Sequence, residues 1–276
     1  ERIGWYAVNI NANDVACLGA RPRWFLATLL LPESGPNAAL AENIFRDILR
    51  ACQSLGVTLC GGHTEITSGL GRPVVVGQML GLVEKPKLIR KESQRPGDLI
   101  LLTKGVALEG TAILAREKAG LLSRKLGAAL VRRAARLLFN PGISVVREAG
   151  IAARQGGVHA LHDPTEGGLL SGLYELAQAG QVGMRVIKES IPILPETRAV
   201  AEVLGFNPLA LIASGALLVV ASRRTANRTL RAFRRRGISA AVIGEVCGER
   251  EGIWLLEGRK LRPLRPPNRD EIARLL

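Results

Sequence analysis

The chain has 276 residues and a mass of 29.5 kDa, which is long for one domain and sufficient for two. Its hydrophobic fraction of 47% is that of an ordinary globular protein, and no apolar run is long enough to span a bilayer, so a membrane protein is not expected. The net charge of +14 favours anionic partners. The aromatic content of 4% makes nucleic acid an unlikely one, because single-strand binders stack bases on aromatic rings.

In the first part of the chain, apolar periodicity predicts two helices and three strands. The first helix is expected to stop before Pro22, which cannot continue a helix, and the second to end at Gly56. The third strand is expected from its β-branched residues. These elements are predicted at residues 6–20 (helix), 24–31 (strand), 37–55 (helix), 57–60 (strand) and 73–83 (strand).

A polar stretch at residues 84–97 holds two prolines and five basic residues, a composition typical of a connection between domains. Beyond it, strands and helices alternate, which predicts an α/β or α+β fold. Strands are predicted at residues 98–103, 158–161, 184–187, 216–220, 241–245 and 253–256. Helices are predicted at residues 110–119, 125–138, 144–155, 169–179 and 223–236, the last with its arginines on a solvated outer face.

The cysteines show neither a disulfide framework nor zinc-site spacing. Cys17, Cys52, Cys60 and Cys247 are therefore expected to be reduced thiols in or near the core. The first residues lack the charged and then apolar pattern of a secretion signal. These features predict a cytoplasmic protein.

Two segments have the composition of ligand-binding loops. In the first, Gly61 and Gly62 follow a short apolar strand, and His63, Thr64 and Glu65 offer side-chain ligands directly afterwards. A glycine pair allows a ligand to approach the backbone closely. A carboxylate beside a phosphate site usually indicates a bridging Mg²⁺, because this ion takes oxygen ligands from both.

The second segment runs from Asp163 to Gly168 and leads straight into a predicted helix. Asp163 or Thr165 is expected to cap this helix, and free amides at its N-terminus suit a phosphate group. Neither segment has the spacing of a P-loop or of a dinucleotide-binding fingerprint. From the residues alone, ordinary turn and capping chemistry without a ligand is an equal alternative.

Five segments, in order, resemble the ATP-binding superfamily of aminoimidazole ribonucleotide synthetase, thiamine-monophosphate kinase, selenophosphate synthetase and HypE. Each is only moderately specific, but their common order along nearly the whole chain makes the resemblance strong. The segments are residues 11–22 (Asn-Ala-Asn-Asp to Gly-Ala-Arg-Pro), 61–65 (Gly-Gly-His-Thr-Glu), 96–101 (Pro-Gly-Asp-Leu-Ile-Leu), 163–169 (Asp-Pro-Thr-Glu-Gly-Gly-Leu) and 207–217 (Asn-Pro-Leu, then Ser-Gly-Ala-Leu).

The resemblance implies a PurM-like fold of two α/β sandwich domains, at residues 1–86 and 97–258, with a basic tail at 259–276. It further implies a homodimer paired through the N-terminal sheets, with ATP and Mg²⁺ in a cleft between the domains. By matching motifs, it implies Asp14 and Asp163 as catalytic residues, and Asp14 and Glu65 as metal ligands. The residues that it implies for binding the nucleotide are Asn13, Gly61, Gly62, His63, Thr64, Thr165, Gly167 and Gly168.

Three departures from the family pattern separate this chain from HypE itself. The acidic segment that binds Mg-ATP lies upstream of the first residue of this sequence, and the C-terminal cysteine of HypE has no counterpart, because the last cysteine is Cys247. Glu166 stands where HypE has arginine.

The predicted function is an ATP- and Mg²⁺-dependent kinase, synthetase or dehydratase related to hydrogenase maturation. Its acceptor, a small molecule or a protein-bound group, is not predicted. One alternative is a non-catalytic nucleotide- or partner-binding maturation factor of the same fold. A remote alternative is a basic nucleic-acid-binding protein.

Overall fold

The computed structural model describes residues 2–35 and 37–276. Residues 1 and 36, which fall within the predicted N-terminal domain, lie outside the described residues. Contacts between residues divide the chain into an N-terminal unit, Glu1–Leu88, and a C-terminal unit, Ile89–Leu276. Each unit combines a β-sheet with helices, so the predicted mixed α/β architecture is confirmed.

The N-terminal unit is a three-stranded sheet with helices against one face. Its elements are α1 (Ile3–Cys17), β1 (Arg21–Pro32), α2 (Asn37–Leu55), β2 (Thr58–Thr67) and β3 (Val74–Leu82). β1 is the central strand, parallel to β2 and antiparallel to β3. Alternate residues of β1 from Phe25 to Leu31 are buried in a cluster with α1 and α2, the pattern of a sheet covered on one face.

β2 differs from its prediction. A strand at 57–60 followed by a glycine loop is expected, but the strand continues to Thr67, so residues 61–65 lie within it and pair with β1. The reason is visible at Gly62, where an added Cβ atom would lie 1.9 Å from the carbonyl oxygen of Ala27. The predicted loop is therefore wrong, and Gly62 serves the close approach of two strands.

The C-terminal unit contains a seven-stranded sheet in the order β10-β9-β6-β8-β4-β7-β5. Its strands are β4 (Leu99–Thr103), β5 (Val158–His162), β6 (Gly183–Ile187), β7 (Leu218–Ala221), β8 (Ala240–Cys247), β9 (Ile253–Glu257) and β10 (Lys260–Pro263). Neighbouring strands are antiparallel except β6 and β9, which are parallel. Every residue of the interior strand β4 is buried, as expected for a strand covered on both faces.

Helices pack on this sheet in the C-terminal unit. They are α3 (Leu108–Glu117), α4 (Ala119–Leu126), α5 (Ala128–Arg136), α6 (Val146–Ala153), α7 (Gly168–Gly180), α8 (Pro195–Leu204), α9 (Arg223–Arg235) and α10 (Ile272–Leu275). The helix predicted at 125–138 is present as α5 but begins later, at Ala128, because Gly127 has φ of +83° and ends α4 before α5 begins. α4, α8, β10 and α10 are not anticipated by the sequence patterns.

α7 holds the second predicted loop in place. Leu169, Leu173 and Leu176, spaced four and three residues apart, form one face of the helix and are fully buried in the core of the unit. The start of α7, and with it the loop before it, is therefore anchored by the core.

The arginine-rich helix α9 agrees with its prediction. It buries Ala226, Ala232 and Phe233 and leaves most of its arginines exposed.

All the cysteines are free thiols. Three are buried as expected, but Cys60 is exposed because it lies on the edge strand β2. Among the described residues, no helix is long and apolar enough to cross a membrane.

Candidate functional site

The site residues predicted on α1 differ in their surroundings. Asn13 is fully buried, while its neighbour Asp14 is exposed. α1 packs against α2, β3 and β1. Asp14 thus presents its carboxylate on the outside of the helix layer, where a ligand can reach it.

The site residues predicted on β2 lie along an exposed edge strand. His63 and Glu65 are two residues apart, so they project from the same face, and His63 Nε2 lies 3.6 Å from Glu65 Oε2. Both side chains are more than half exposed. Gly61 has open space where a Cβ atom would be, unlike Gly62. This strand therefore offers exposed polar groups, together with one glycine that packing does not require.

The described residues do not form a complete metal cage. Within residues 2–35 and 37–276, no three histidine, cysteine or acidic side chains are grouped as metal ligands. Mg²⁺ commonly binds only one or two carboxylates and takes its other ligands from water and substrate phosphates. The exposed carboxylates of Asp14 and Glu65 fit that role, so the donor set suits Mg²⁺ that arrives with a nucleotide.

In the C-terminal unit, the second predicted segment forms a tight loop between β5 and α7. Asp163 is buried at its start, and Thr165 is partly exposed. Gly167 and Gly168 both have left-handed backbone conformations, with φ of +72° and +63°. A Cβ atom on Gly168 would lie 2.6 Å from the carbonyl oxygen of Leu211, so this glycine is required by conformation and by packing.

The capping of α7 differs from the prediction. The N-cap residue is Gly167, so neither Asp163 nor Thr165 occupies the N-cap position. Thr165 contributes through its carbonyl oxygen, which accepts from the amides of Gly168 (3.0 Å) and Ala213 (3.3 Å).

A carboxylate from the C-terminal end of the chain serves the loop instead. The Gly167 amide donates to Asp270 Oδ2 at 2.6 Å. The other oxygen of Asp270 accepts from the amides of Ile212 (3.3 Å) and Ile272 (2.7 Å). The loop amide at the start of α7 thus already holds an anionic oxygen, as expected where free amides and the helix dipole meet.

A buried acid lies next to this arrangement. Glu109, in the first turn of α3, is 3% exposed, and burial raises its pKa to about 7, although the nearby Ser214 opposes the rise. The charges of Asp270 and Glu166 raise it further. Glu109 Oε2 and Ser214 Oγ are buried without a hydrogen-bond partner. Near neutral pH, Glu109 therefore exchanges a proton.

A chain of polar side chains precedes the loop at the end of β5. Lys91 Nζ lies 2.9 Å from His162 Nδ1, and His162 Nε2 lies 2.8 Å from Glu175 Oε2. The hydrogen bond with His162 lowers the pKa of Glu175. These contacts hold His162 in one orientation directly before Asp163.

The side chain of Lys104 is buried and makes its contacts inside the C-terminal unit. Its Nζ donates to the carbonyl oxygens of Gly142 and Ser144 and lies 3.1 Å from Glu148 Oε1. Burial lowers the pKa of Lys104, while the Glu148 carboxylate raises it. This lysine therefore stabilises the fold rather than facing a ligand.

Sequence patterns do not find Asp270, Glu109 or Ser214. Asp270 is separated from Gly167 by 103 residues, and its one local signal is an acid in a segment rich in proline and arginine. Glu109 occupies an ordinary first-turn position of a helix, and nothing local marks it as buried.

The comparisons with known proteins cover both units. Two family models match the chain. The model described as "AIR synthase related protein, N-terminal domain" matches residues 1–83, and the one described as "AIR synthase related protein, C-terminal domain" matches residues 95–255. Carbamoyl dehydratase HypE of Azotobacter vinelandii is 32% identical over 251 residues, which cover 90% of this chain and 70% of that protein.

Solved structures show the same fold. Hydrogenase maturation protein HypE in complex with ATP matches with a TM-score of 0.83 and 24% identity, over 98% of this chain and 81% of that chain. AaThiL complexed with AMPPCP and TMP matches with a TM-score of 0.75 and 21% identity, over 95% and 78%. These likenesses confirm the PurM-like fold. Since both domain descriptions match in order and HypE is similar along most of its length, the chain belongs to the AIR synthase related protein family and is a HypE-like member of it.

Proposed function

We propose that the chain is an ATP-dependent phosphoryl-transfer enzyme, of the kinase, synthetase or dehydratase type, that acts with Mg²⁺. The observation that carries the proposal is the loop before α7, where the Gly167 amide holds a carboxylate oxygen at 2.6 Å. A phosphate oxygen makes the same kind of contact at a helix N-terminus. The relatives support the nucleotide, because HypE has been solved with ATP and AaThiL with AMPPCP and TMP.

The proposal gives each unit its own part of the work. In the N-terminal unit, Asp14 and Glu65 would hold the metal ion, which supplies charge neutralisation for the phosphates when bound. The residues proposed to contact the nucleotide there are Asn13, Gly61, Gly62, His63 and Thr64. Asp14 is also proposed to act at the reacting group.

In the C-terminal unit, Asp163 is proposed as the second catalytic residue. Its neighbours Thr165, Gly167 and Gly168 are proposed to bind phosphate oxygens through the loop backbone. The electrostatic task is to orient the transferring group and exclude water, since phosphoryl transfer depends mainly on positioning and charge. The buried start of the loop suits that task, because ligand contacts are strengthened where water is excluded.

The proposal specifies the acceptor of the phosphoryl group only by its chemical class. AaThiL was solved with TMP, and the HypE relative is named a carbamoyl dehydratase, so the two relatives differ in what they act on. A small molecule and a protein-bound group are both compatible with the loop described here. The proposal places the enzyme in the cytoplasm, because its thiols are free.

Calorimetric titration with a non-hydrolysable ATP analogue and Mg²⁺ tests the nucleotide site. We expect the wild-type protein to bind, and Asp163→Asn and Asp14→Asn to bind at least about tenfold more weakly, a loss of about 1.4 kcal/mol. Glu202→Gln, the same loss of one charge on the exposed face of α8, is the matched control and should bind like the wild type. Absence of binding by the wild-type protein would contradict the proposal.

We also propose that the chain forms a homodimer through the N-terminal sheet. The face of this sheet away from α1 and α2 exposes large apolar side chains, including Val76 (51%), Leu80 (55%) and Leu82 (59%). Contiguous exposed apolar patches typically mark interaction surfaces. Light scattering should show a dimer for the wild type and a monomer for Leu80→Lys. A monomeric wild type at all concentrations would contradict this part.

A further inference from the structure

The last residues of the C-terminal unit fold back over the glycine loop. We call residues 264–276 the C-terminal strap. Leu264 is buried, and its amide donates to the carbonyl oxygen of Ile253 at 2.9 Å. Ile272 and Leu275 pack on the core of the unit. The strap is thus attached at both ends, with Asp270 between the attachments.

Two further hydrogen bonds attach the strap to residues 205–210, close to Leu209 and Leu211, which lie against Gly168. The Glu271 amide donates to the carbonyl oxygen of Ala210 at 3.3 Å, and Arg274 Nη2 donates to that of Gly205 at 2.8 Å. These two hydrogen bonds are made by the backbone and by an exposed side chain. They are individually weak, so local detachment around Asp270, between the apolar attachments of the strap, does not require unfolding of the sheet.

Asp270 occupies the position that suits an anion. Its two oxygens accept hydrogen bonds from three backbone amides, those of Gly167, Ile212 and Ile272. The Gly167 amide belongs to the glycine loop, and the Ile212 amide belongs to the chain beside that loop. A carboxylate and a phosphate compete for such amides, because both are oxyanions that accept charge-assisted hydrogen bonds.

Space for a ligand adjoins this position. A cavity of about 440 Å³ lies between the loop and the strap, lined by Gly167 and Ser171 on one side and by Asn268, Arg269 and Asp270 on the other. Arg269 is exposed and provides a guanidinium group at this cavity, which fits an anionic ligand, while Glu166, which also lines the cavity, opposes one. Two polar atoms of the buried neighbourhood, Glu109 Oε2 and Ser214 Oγ, have no partner.

We propose that the C-terminal strap is an internal competitor at the glycine loop. Asp270 holds the Gly167 and Ile212 amides in the free protein, and a phosphate group binds to these amides only when Asp270 leaves them. The strap therefore keeps the loop closed to weakly bound anions and opens when a phosphate ligand binds. This inference rests on the proposed function in one respect, that the ligand of the loop is a phosphate oxyanion.

Calorimetric titration with inorganic pyrophosphate tests the competition in four proteins: the wild type, Asp270→Asn, Glu166→Gln and Glu271→Gln. Asparagine keeps one accepting oxygen but loses the charge and the second acceptor. We expect Asp270→Asn to bind pyrophosphate about tenfold more tightly than the wild type. This ratio corresponds to the free energy of one charge-assisted hydrogen bond, which the competing side chain loses in the variant.

The other two variants distinguish the effect of the Asp270 hydrogen bonds from the effect of removing any negative charge nearby. Glu166→Gln removes a charge beside the same loop, at a residue that acts on Glu109 only through its charge, and should gain less than about threefold. Glu271→Gln removes the neighbouring charge of the strap but keeps a side-chain oxygen that can accept from Asn207 or Arg274, and should bind like the wild type. Circular dichroism confirms that all four proteins are folded.

Hydrogen exchange supplies a second readout. Adding pyrophosphate to the wild type should speed exchange of the Glu271 amide, because that amide loses the carbonyl oxygen of Ala210 when the strap leaves. The inference is overturned if Asp270→Asn binds no more tightly than the wild type, if Glu166→Gln gains as much, if strap exchange is unchanged in the bound state, or if no variant binds pyrophosphate.

A parallel titration with the non-hydrolysable ATP analogue keeps this inference distinct from the proposed function. If the analogue binds and Asp270→Asn has no effect on pyrophosphate binding, the competitor role is contradicted and the proposed enzyme function is not. Tighter pyrophosphate binding by Asp270→Asn without analogue binding in any variant sinks the enzyme proposal and leaves the competitor role standing.

Discussion

The glycine pairs Gly61–Gly62 and Gly167–Gly168 resemble each other in sequence and differ in their surroundings. The first lies in an exposed edge strand, where neighbouring polar side chains reach solvent. The second lies in a loop anchored by the buried helix α7, with backbone and carboxylate groups packed closely around it.

This difference predicts how substitutions near each pair will act. In the N-terminal unit, the polar site residues on β2 make few contacts that stabilise the fold, so their substitution should change binding and leave the stability nearly unchanged. In the C-terminal unit, polar and glycine residues near the loop are part of the packed interior. Their substitution should change the free energy of unfolding, because buried polar groups left without partners are costly.

The largest effect is expected for the buried ion pair of the C-terminal unit. The side chains of Lys104 and Glu148 are only 5% and 8% exposed. Lys104→Met leaves the Glu148 carboxylate buried without its cation, and we expect the free energy of unfolding to fall by about 3–5 kcal/mol in urea titrations.

A matched control comes from an exposed ion pair of the same unit. Lys188 pairs with Glu257, and both side chains are more than one third exposed. Lys188→Met should cost less than about 1 kcal/mol, because solvent screens such pairs. Equal costs for the two lysine substitutions would contradict the distinction between buried and exposed polar groups.

The next effect is a dependence of stability on pH that is caused by Glu109. Burial raises its pKa from 4.5 to about 7, so the folded protein binds a proton more tightly than the unfolded chain does. Stability from this group is therefore greatest below pH 4.5 and is lost as the pH rises towards 7. The difference between the two pKa values corresponds to about 3 kcal/mol.

Urea titrations of the wild type and of Glu109→Gln across this range check the prediction. The difference in unfolding free energy between the two proteins should shift in favour of the variant as the pH rises, because glutamine cannot ionise. The shift should end above pH 7, where Glu109 is ionised in both states. A difference that is constant across the range would show that Glu109 does not titrate there.

Local patterns predict a large part of this fold, and contacts distant in the chain decide the rest. The amphipathic spacing predicts α2 at residues 37–55, where the structure has it. The same kind of reasoning predicts a loop at 61–65 and fails, because glycine suits a turn and a close strand pair equally well. Pairing with Ala27 of β1, more than thirty residues earlier, decides between them.

The candidate site shows the same limit. Asp163, Thr165 and the following glycines are found from their composition, but the carboxylate that caps the loop comes from Asp270, 103 residues away. No spacing rule connects residues so distant. The residues of a loop can be predicted from sequence, whereas the groups that complete it require the folded chain.

A smaller effect is expected when the two glycine pairs are compared directly. Gly168→Ala places a Cβ atom against the Leu211 carbonyl oxygen in a left-handed conformation, and should lower the free energy of unfolding by about 2–3 kcal/mol. Gly61→Ala meets open space but must adopt φ of +159°, at the edge of extended backbone, and should cost less, about 1 kcal/mol. Equal losses in thermal or urea unfolding would contradict the contrast between the pairs.

The smallest effect on stability, and a large effect on binding, is expected on β2. Glu65 is 57% exposed and pairs with an exposed histidine, so Glu65→Gln should change the unfolding free energy by less than about 0.5 kcal/mol. Because its carboxylate is proposed to hold Mg²⁺, the same change should weaken binding of the ATP analogue by about tenfold in the presence of Mg²⁺ and much less in its absence. Glu42→Gln, an equal change of charge on the exposed side of α2, should do neither. A loss of stability with unchanged binding would give β2 a structural role and would remove the difference between the two units.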